Sequence, residues 1–194
     1  MIEPGGAPSR PATPATPGVS EFAADFLARF RWIDGHADVL GLVADGPFLA
    51  AVAQALAAPF AAAGFTKVAA VEARGFVLGA AVALRAGVGF VPVRKVGAVH
   101  PGPKVTRRTE PDWRGNQPEL ELQRSALGSE DRVLLVDDWA ERGSQALAAR
   151  ALVEECRATY VGLSLLVDQL PDEVRERLAP VAAVVSHADL PPSA

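Results

Sequence analysis

The chain has 194 residues, of which 49% are hydrophobic, 22% charged and 6% aromatic, the make-up of one globular domain with a sizeable core rather than of a fibrous or largely disordered protein. Nineteen basic against 23 acidic residues leave a net charge of −4, so nothing draws the molecule as a whole toward a polyphosphate duplex, and nucleic acid is disfavoured as its main partner. A single cysteine, Cys156, excludes an internal disulfide framework and a cysteine-based zinc site.

Residues 1–18 hold five of the 16 prolines, interleaved with Gly, Ala, Thr and Ser. Such a segment cannot bury enough apolar surface to offset its ordering entropy, and residues 1–19 read as a disordered tail. It has no basic start followed by an apolar run, and no uninterrupted apolar run elsewhere nears the roughly 20 residues that cross a bilayer. The expectation is a soluble, cytoplasmic protein with no membrane partner. A helix is expected from a Ser20 cap to about Arg29, with Phe22, Phe26 and Phe30 on one stripe. A second is expected to open at Pro47 after Asp45 and to run until Gly64.

From there short Val-rich runs alternate with helical stretches. Strands are expected over residues 67–72, 89–94, 119–123, 131–137, 159–168 and 181–185. Helices are expected over 75–86, with Phe76, Ala80 and Leu84 on one face, and over 144–156, with Ala148, Leu152 and Cys156 stacked. Pro171 opens one more short helix. Residues 97–118 show no periodicity and form a connection longer than a compact domain normally tolerates without a functional reason. Strands that are apolar throughout, separated by helices, imply an α/β fold: a parallel, Rossmann-like sheet with helices on both faces.

Ligands of such sheets bind beyond the carboxyl ends of the strands. The run Val133-Leu134-Leu135-Val136-Asp137-Asp138-Trp139-Ala140-Glu141-Arg142-Gly143-Ser144-Gln145 joins an apolar strand to two carboxylates, a glycine-containing loop and a helix start. A helix N-terminus offers free N–H groups to a phosphate, while carboxylates accept bonds from hydroxyls or hold a cation, so a sugar phosphate suits both. On spacing alone, aspartates that merely cap the helix are an equal alternative.

This run resembles the phosphoribosyl-pyrophosphate motif of the type I phosphoribosyltransferases. Residues 67–95, with Glu72-Ala73-Arg74-Gly75-Phe76 and Val93-Arg94-Lys95, are similar to the adenine-specific branch, as are Arg31-Trp32-Ile33-Asp34 and Leu42-Val43-Ala44-Asp45. The resemblance implies one catalytic domain over residues 20–194, with a small hood (about 20–62), a flexible loop (97–118) and a homodimeric assembly. It implies that Asp137 and Asp138 hold the ribose and lie under the positive charge that develops on it. Glu141, Arg142, Gly143, Ser144 and Gln145 would hold the 5-phosphate, and Arg74, Arg94 and Lys95 the pyrophosphate. Lys104, with Arg107, Arg108 and Arg114, would bring positive charge from the loop, and Trp32 would stack on a purine base. Mg2+ would enter mainly on substrate oxygens, with Glu72 as a weak further candidate.

The phosphate loop departs from the family's usual Ala-Thr-Gly-Gly-Thr. A Ser144 in place of glycine would be strained if that position needs a positive φ. In the loop, Asp112 to Gly115 replace the family's Leu-Glu-Tyr-Gly. Trp139 stands at an aliphatic position. These departures leave two alternatives open: a different base, or a protein of this fold that senses phosphoribosyl pyrophosphate without efficient turnover.

Overall fold

A computed structural model describes residues 19–97, 101–111 and 115–193; most of the tail expected at 1–19, His100 and the segment 112–114 lie outside the described residues. The elements in chain order are α1 (Val19–Arg29), the two-residue strands β1 (Trp32–Ile33) and β2 (His36–Ala37), α2 (Val39–Val43), α3 (Gly46–Ala57), β3 (Lys67–Val71), α4 (Arg74–Ala86), β4 (Gly89–Lys95), β5 (Lys104–Arg108), β6 (Glu119–Gln123), β7 (Arg132–Ala140), α5 (Ser144–Glu155), β8 (Thr159–Asp168), α6 (Asp172–Arg177) and β9 (Val181–Ser186). Seven strands form one sheet in the order β5-β6-β4-β3-β7-β8-β9. The pairs β4–β3, β3–β7, β7–β8 and β8–β9 are parallel, while β6 pairs antiparallel with β4 and with β5.

Alternation along the strands sends side chains to two cores, one on each face of the sheet. Val71, Val93, Leu135 and Leu163 meet α5 residues such as Leu152 and Cys156 on one face. Val68, Leu134, Val136 and Leu166 meet α1, α3 and α4 on the other, through Phe26, Val52 and Leu78. The phenylalanine stripe of α1 is buried as its spacing predicts, and Asp45 caps α3 by accepting from the Phe48 N–H at 2.8 Å. The helical stretch Gly46–Ala63 is apolar and long enough to reach across a bilayer, but α3 gives way to a 3-10 turn at Ala58, and Phe48, Val52, Leu56 and Phe60 pack into the core.

Three expectations are corrected. Residues 97–118 are not without regular structure: Lys104–Arg108 pairs along its whole length with β6. Only Val105 of that strand is buried, so its charged residues leave no alternation to read. With β6 it adds an antiparallel edge to the parallel core β4-β3-β7-β8-β9, which is as expected. The acid pair does not follow its strand, because β7 keeps pairing with β8 as far as Ala140. The buried face of α4 is Gly75, Leu78, Gly79, Val82 and Ala83, and Leu84 is 85% exposed. The reason is close approach: a Cβ on Gly79 would stand 2.8 Å from both the Ala70 Cβ and the Phe90 ring, so the smallest residues must face the sheet.

Outside the sheet, the β5 arm is tied to the body by Arg107–Glu155 (2.6 Å) and Glu110–Arg177 (2.8 Å), both exposed ion pairs. Gly162 marks a local irregularity in which the β7–β8 register slips past Val161. A Cβ there would fall 2.2 Å from the Phe60 ring and 2.8 Å from the Pro180 carbonyl oxygen. Gly162→Ala is expected to cost about 2–3 kcal/mol, because neither a packed ring nor a backbone carbonyl yields cheaply. A thermal melt checks this: the midpoint should fall by roughly 4–12 °C.

Candidate active site

The carboxyl ends of β3, β4 and β7 lie on one side of the sheet, and there the loop between β7 and α5 walls an open recess of about 240 Å³ lined by Arg74, Asp137, Trp139 and the run Ala140 to Ala146. Gly143 adopts φ +67° immediately before α5. A Cβ there would stand 2.7 Å from Leu170 and from Val174, so both conformation and space demand glycine. The positive φ thus falls on Gly143 and not on Ser144, whose expected strain does not arise. Ser144 is buried as the first residue of α5, and the N–H groups of the first helical turn face the recess without intrahelical acceptors. Glu141 and Arg142 are exposed at its lip; Arg142 makes no hydrogen bond or ion pair with the described residues.

Behind this loop stands the acid pair. Asp138 is 4% exposed and its Oδ2 meets the Arg74 Nε at 2.9 Å. Asp137 remains partly accessible from the recess, and its Oδ1 accepts from the Asp138 N–H at 2.9 Å. Gly75 lies directly over it: an added Cβ would be 3.0 Å from that oxygen. Lost hydration raises the pKa of both carboxyls, and Asp137 is pushed further up by the negative charge of Asp138. Arg74 opposes this for each of them. The site therefore holds two crowded carboxylates whose charge is not fully offset by protein, a setting that favours ribose hydroxyls as donors and positive charge as a neighbour.

Arg74 is the first residue of α4 rather than a loop residue, and Arg94 and Lys95 end β4 rather than follow it. Glu72 does not pair with Arg74. It accepts from the Arg94 Nε at 3.1 Å and from the Lys95 N–H at 2.9 Å, contacts that bring its pKa below the usual carboxylate range against the opposing effect of burial. Arg94, Lys95, Lys104 and Trp32 do not line the recess; Lys104 stands opposite Gln123, at the far end of β6 from Leu120, the partner of Lys95. Reading the sequence did not single out Gln169 or give His187 a role, yet both meet Trp139. The Trp139 Nε1 donates to the Gln169 Oε1 at 2.8 Å, and the His187 ring lies 5.5 Å from the indole. The only signal was the bulky aromatic at an aliphatic position.

A central strand carrying paired acids, a glycine-opened helix start for a phosphate and cations at the start of α4 and the end of β4 define the type I phosphoribosyltransferase class. No family model matches the chain. It is 41% identical over 150 residues to the adenine phosphoribosyltransferase of Kineococcus radiotolerans, an alignment covering 77% of this chain and 80% of that one. A crystal structure of adenine phosphoribosyltransferase from Rhodothermus marinus superposes with a TM-score of 0.75 at 29% identity, covering 86% of this chain and 99% of that one. The Giardia lamblia enzyme complexed with 9-deazaadenine superposes with a TM-score of 0.74 at 28% identity, covering 85% and 97%. The chain belongs to the adenine phosphoribosyltransferase family.

Proposed function

We propose that the chain transfers the phosphoribosyl group of phosphoribosyl pyrophosphate to adenine, forming AMP and pyrophosphate, in purine salvage. The observation that carries this reading is the recess itself, which brings Asp137 to one wall, with Asp138 buried directly behind it, and the open first turn of α5 to another. The bond from ribose C1 to the pyrophosphate oxygen breaks with its electron pair leaving on pyrophosphate. N9 of adenine bonds to C1, and its ring proton leaves to solvent. Positive charge develops on the ribose as the first bond lengthens, and Asp137 and Asp138 stabilise it. The backbone N–H groups of residues 143–146 and the Ser144 hydroxyl hold the 5-phosphate. Arg74 keeps Asp138 on its Nε and has its terminal nitrogens left for pyrophosphate, a division that its five donors allow.

Mg2+ fits the donor set. The Asp137 carboxylate, the one of the pair that lines the recess, would face the metal's first hydration shell, and the ion would neutralise pyrophosphate charge. Arg94 and Lys95 come to the leaving group only if ligand draws Arg94 from Glu72. We place the protein in the cytoplasm as a homodimer, in keeping with the family resemblance.

The test incubates the protein with phosphoribosyl pyrophosphate, Mg2+ and each of a panel of purines and pyrimidines, following pyrophosphate release and nucleotide formation. Adenine should be the preferred acceptor. Tight binding of phosphoribosyl pyrophosphate with no pyrophosphate released for any base would overturn the reading in favour of a sensor.

A further inference from the structure

The glycine turn that opens α5 has no side chain of its own to pack, so its place is set by what it rests on. A Cβ on Gly143 would meet Leu170 and Val174 at 2.7 Å and Leu178 at 3.3 Å, so these apolar side chains form the floor under the turn. They sit on the segment that follows β8, whose helix α6 is only six residues long, has no side-chain N-cap and contains no buried residue. A helix of that length does not hold itself in water. The tie is ionic. Asp168, the last residue of β8, is 4% exposed. Its Oδ1 accepts from the Leu170 N–H at 2.9 Å, and its Oδ2 pairs with the Arg175 guanidinium. One carboxylate grips the segment at two places, at Leu170 itself and one residue beyond Val174. The intervening Gln169 N–H donates to the Ala140 carbonyl at 3.0 Å, where the phosphate loop leaves β7.

We infer that Asp168 and Arg175 are positioning residues for the 5-phosphate: by fixing Leu170 and Val174 they hold the Gly143 turn, and with it the N–H groups of the first turn of α5, where the phosphate binds. The inference rests on the phosphoribosyl-transfer reading for the identity of that phosphate. Neither residue lines the recess, so their effect passes through the floor and not through contact with the ligand. Burial suits the pair to this task. The Asp168 side chain is 3% exposed and that of Arg175 23%, so salt screens this contact far less than it screens the exposed pairs of the β5 arm. A carboxylate left there without its partner has no water to solvate it, and the segment must open to supply some. Opening carries Leu170 and Val174 away from Gly143. Leu178 is held separately, its carbonyl accepting from the Tyr160 hydroxyl at 2.5 Å, so that end of the floor stays anchored.

Calorimetric binding of ribose 5-phosphate, which uses the phosphate turn and needs no turnover, tests the assignment, with pyrophosphate and Mg2+ as the ligand that does not use the turn. Arg175→Gln should weaken ribose 5-phosphate about ten-fold, the order for loss of one charge-assisted hydrogen bond, and change pyrophosphate binding by less than about two-fold. Arg175→Lys keeps the charge and should recover most of the loss. Asp168→Asn combined with Arg175→Gln leaves no charge unpaired and guards against a single variant that fails to fold; it should bind ribose 5-phosphate as weakly as Arg175→Gln does. In steady state these losses should appear in the KM for phosphoribosyl pyrophosphate and not in the KM for adenine. Asp131→Asn is the control for lost stability alone. Asp131 accepts from the Gly128 N–H at 2.8 Å and from the Lys67 Nζ at 3.0 Å, just before β7 begins and at the end of that strand away from the site. Its loss should lower the melting temperature and leave ribose 5-phosphate affinity unchanged. Unchanged ribose 5-phosphate affinity in both Arg175→Gln and the double variant, or an equal loss in Asp131→Asn or for pyrophosphate, would reduce the pair to a structural tie with no part in phosphate binding. If ribose 5-phosphate binding responded as expected while the unaltered protein released no pyrophosphate with any base, the transfer reading would fail and the positioning role would stand.

Discussion

Asp137→Asn combined with Asp138→Asn is expected to lower kcat/KM by about 10³-fold or more, the order seen when a fixed group that stabilises transition-state charge is lost, and to leave the fold intact. Asparagine keeps the size and one acceptor oxygen, so the Asp138 N–H and the ribose hydroxyls still find partners. What vanishes is negative charge beneath the ribose. The same substitution has a definite effect on stability. A carboxyl whose pKa is raised in the folded protein binds its proton more tightly there than in the unfolded chain. Stability from that group is therefore fully present below the ordinary carboxylate value near 4 and is lost as pH rises through the raised folded value. Both carboxyls are raised by burial, so at pH 7 the unaltered protein carries this penalty and the double variant does not. Thermal melts between pH 4 and 8 should show the variant melting no lower than the parent at pH 7, with the difference shifting in the parent's favour toward pH 4. Near-normal kcat/KM in the double variant would reduce the pair to a helix cap.

Gly143→Ala should be nearly as damaging, by another route. At φ +67° a side chain costs about 1–2 kcal/mol in backbone strain, and its Cβ would overlap Leu170 and Val174, which anchor the segment from the end of β8 into α6. The strain is relieved only if the loop moves, and a displacement of about 1 Å in a phosphate-holding loop costs on the order of 10²-fold in rate. The KM for phosphoribosyl pyrophosphate should rise steeply and the melting temperature fall, whereas the KM for adenine should change less. Gly46→Ala is the control. A Cβ there meets nothing within 4 Å and its φ is not positive, so activity should be unaffected. Unchanged kinetics in Gly143→Ala would show that the 5-phosphate is held elsewhere.

The acid pair and the glycine before α5 were legible in the sequence because each is dictated locally: apolar strand, acids, loop, helix start. The long strand β8 was equally legible, since a strand covered on both faces reads as a nearly continuous apolar run, and its buried Ser164 is satisfied by donating to the Leu56 carbonyl. Helix α4 was misread for a reason of scale. Phe76, Ala80 and Leu84 repeat at helical spacing, but the helix lies so close to β3 that Gly75 and Gly79 take the inner face. The strand Lys104–Arg108 was missed because an edge strand is kept soluble by the charged residues that erase its alternation. Within the site, the positions of Arg94 and Glu72 depend on register between two strands, and the meeting of Trp139 with Gln169 and His187 depends on segments 30 and 48 residues away. No local pattern carries either.

The ion pairs that hold the β5 arm against α5 and α6 set it apart from the rest of the molecule in one respect. Arg107–Glu155 and Glu110–Arg177 are exposed at both ends, so each contributes at most about 1 kcal/mol, and at 0.15 M salt the screening length is only about 8 Å. The attachment of the arm therefore answers to ionic strength. Potassium and chloride at cellular concentrations compete for the tethers of the arm, while the sheet and its two apolar cores are indifferent to them.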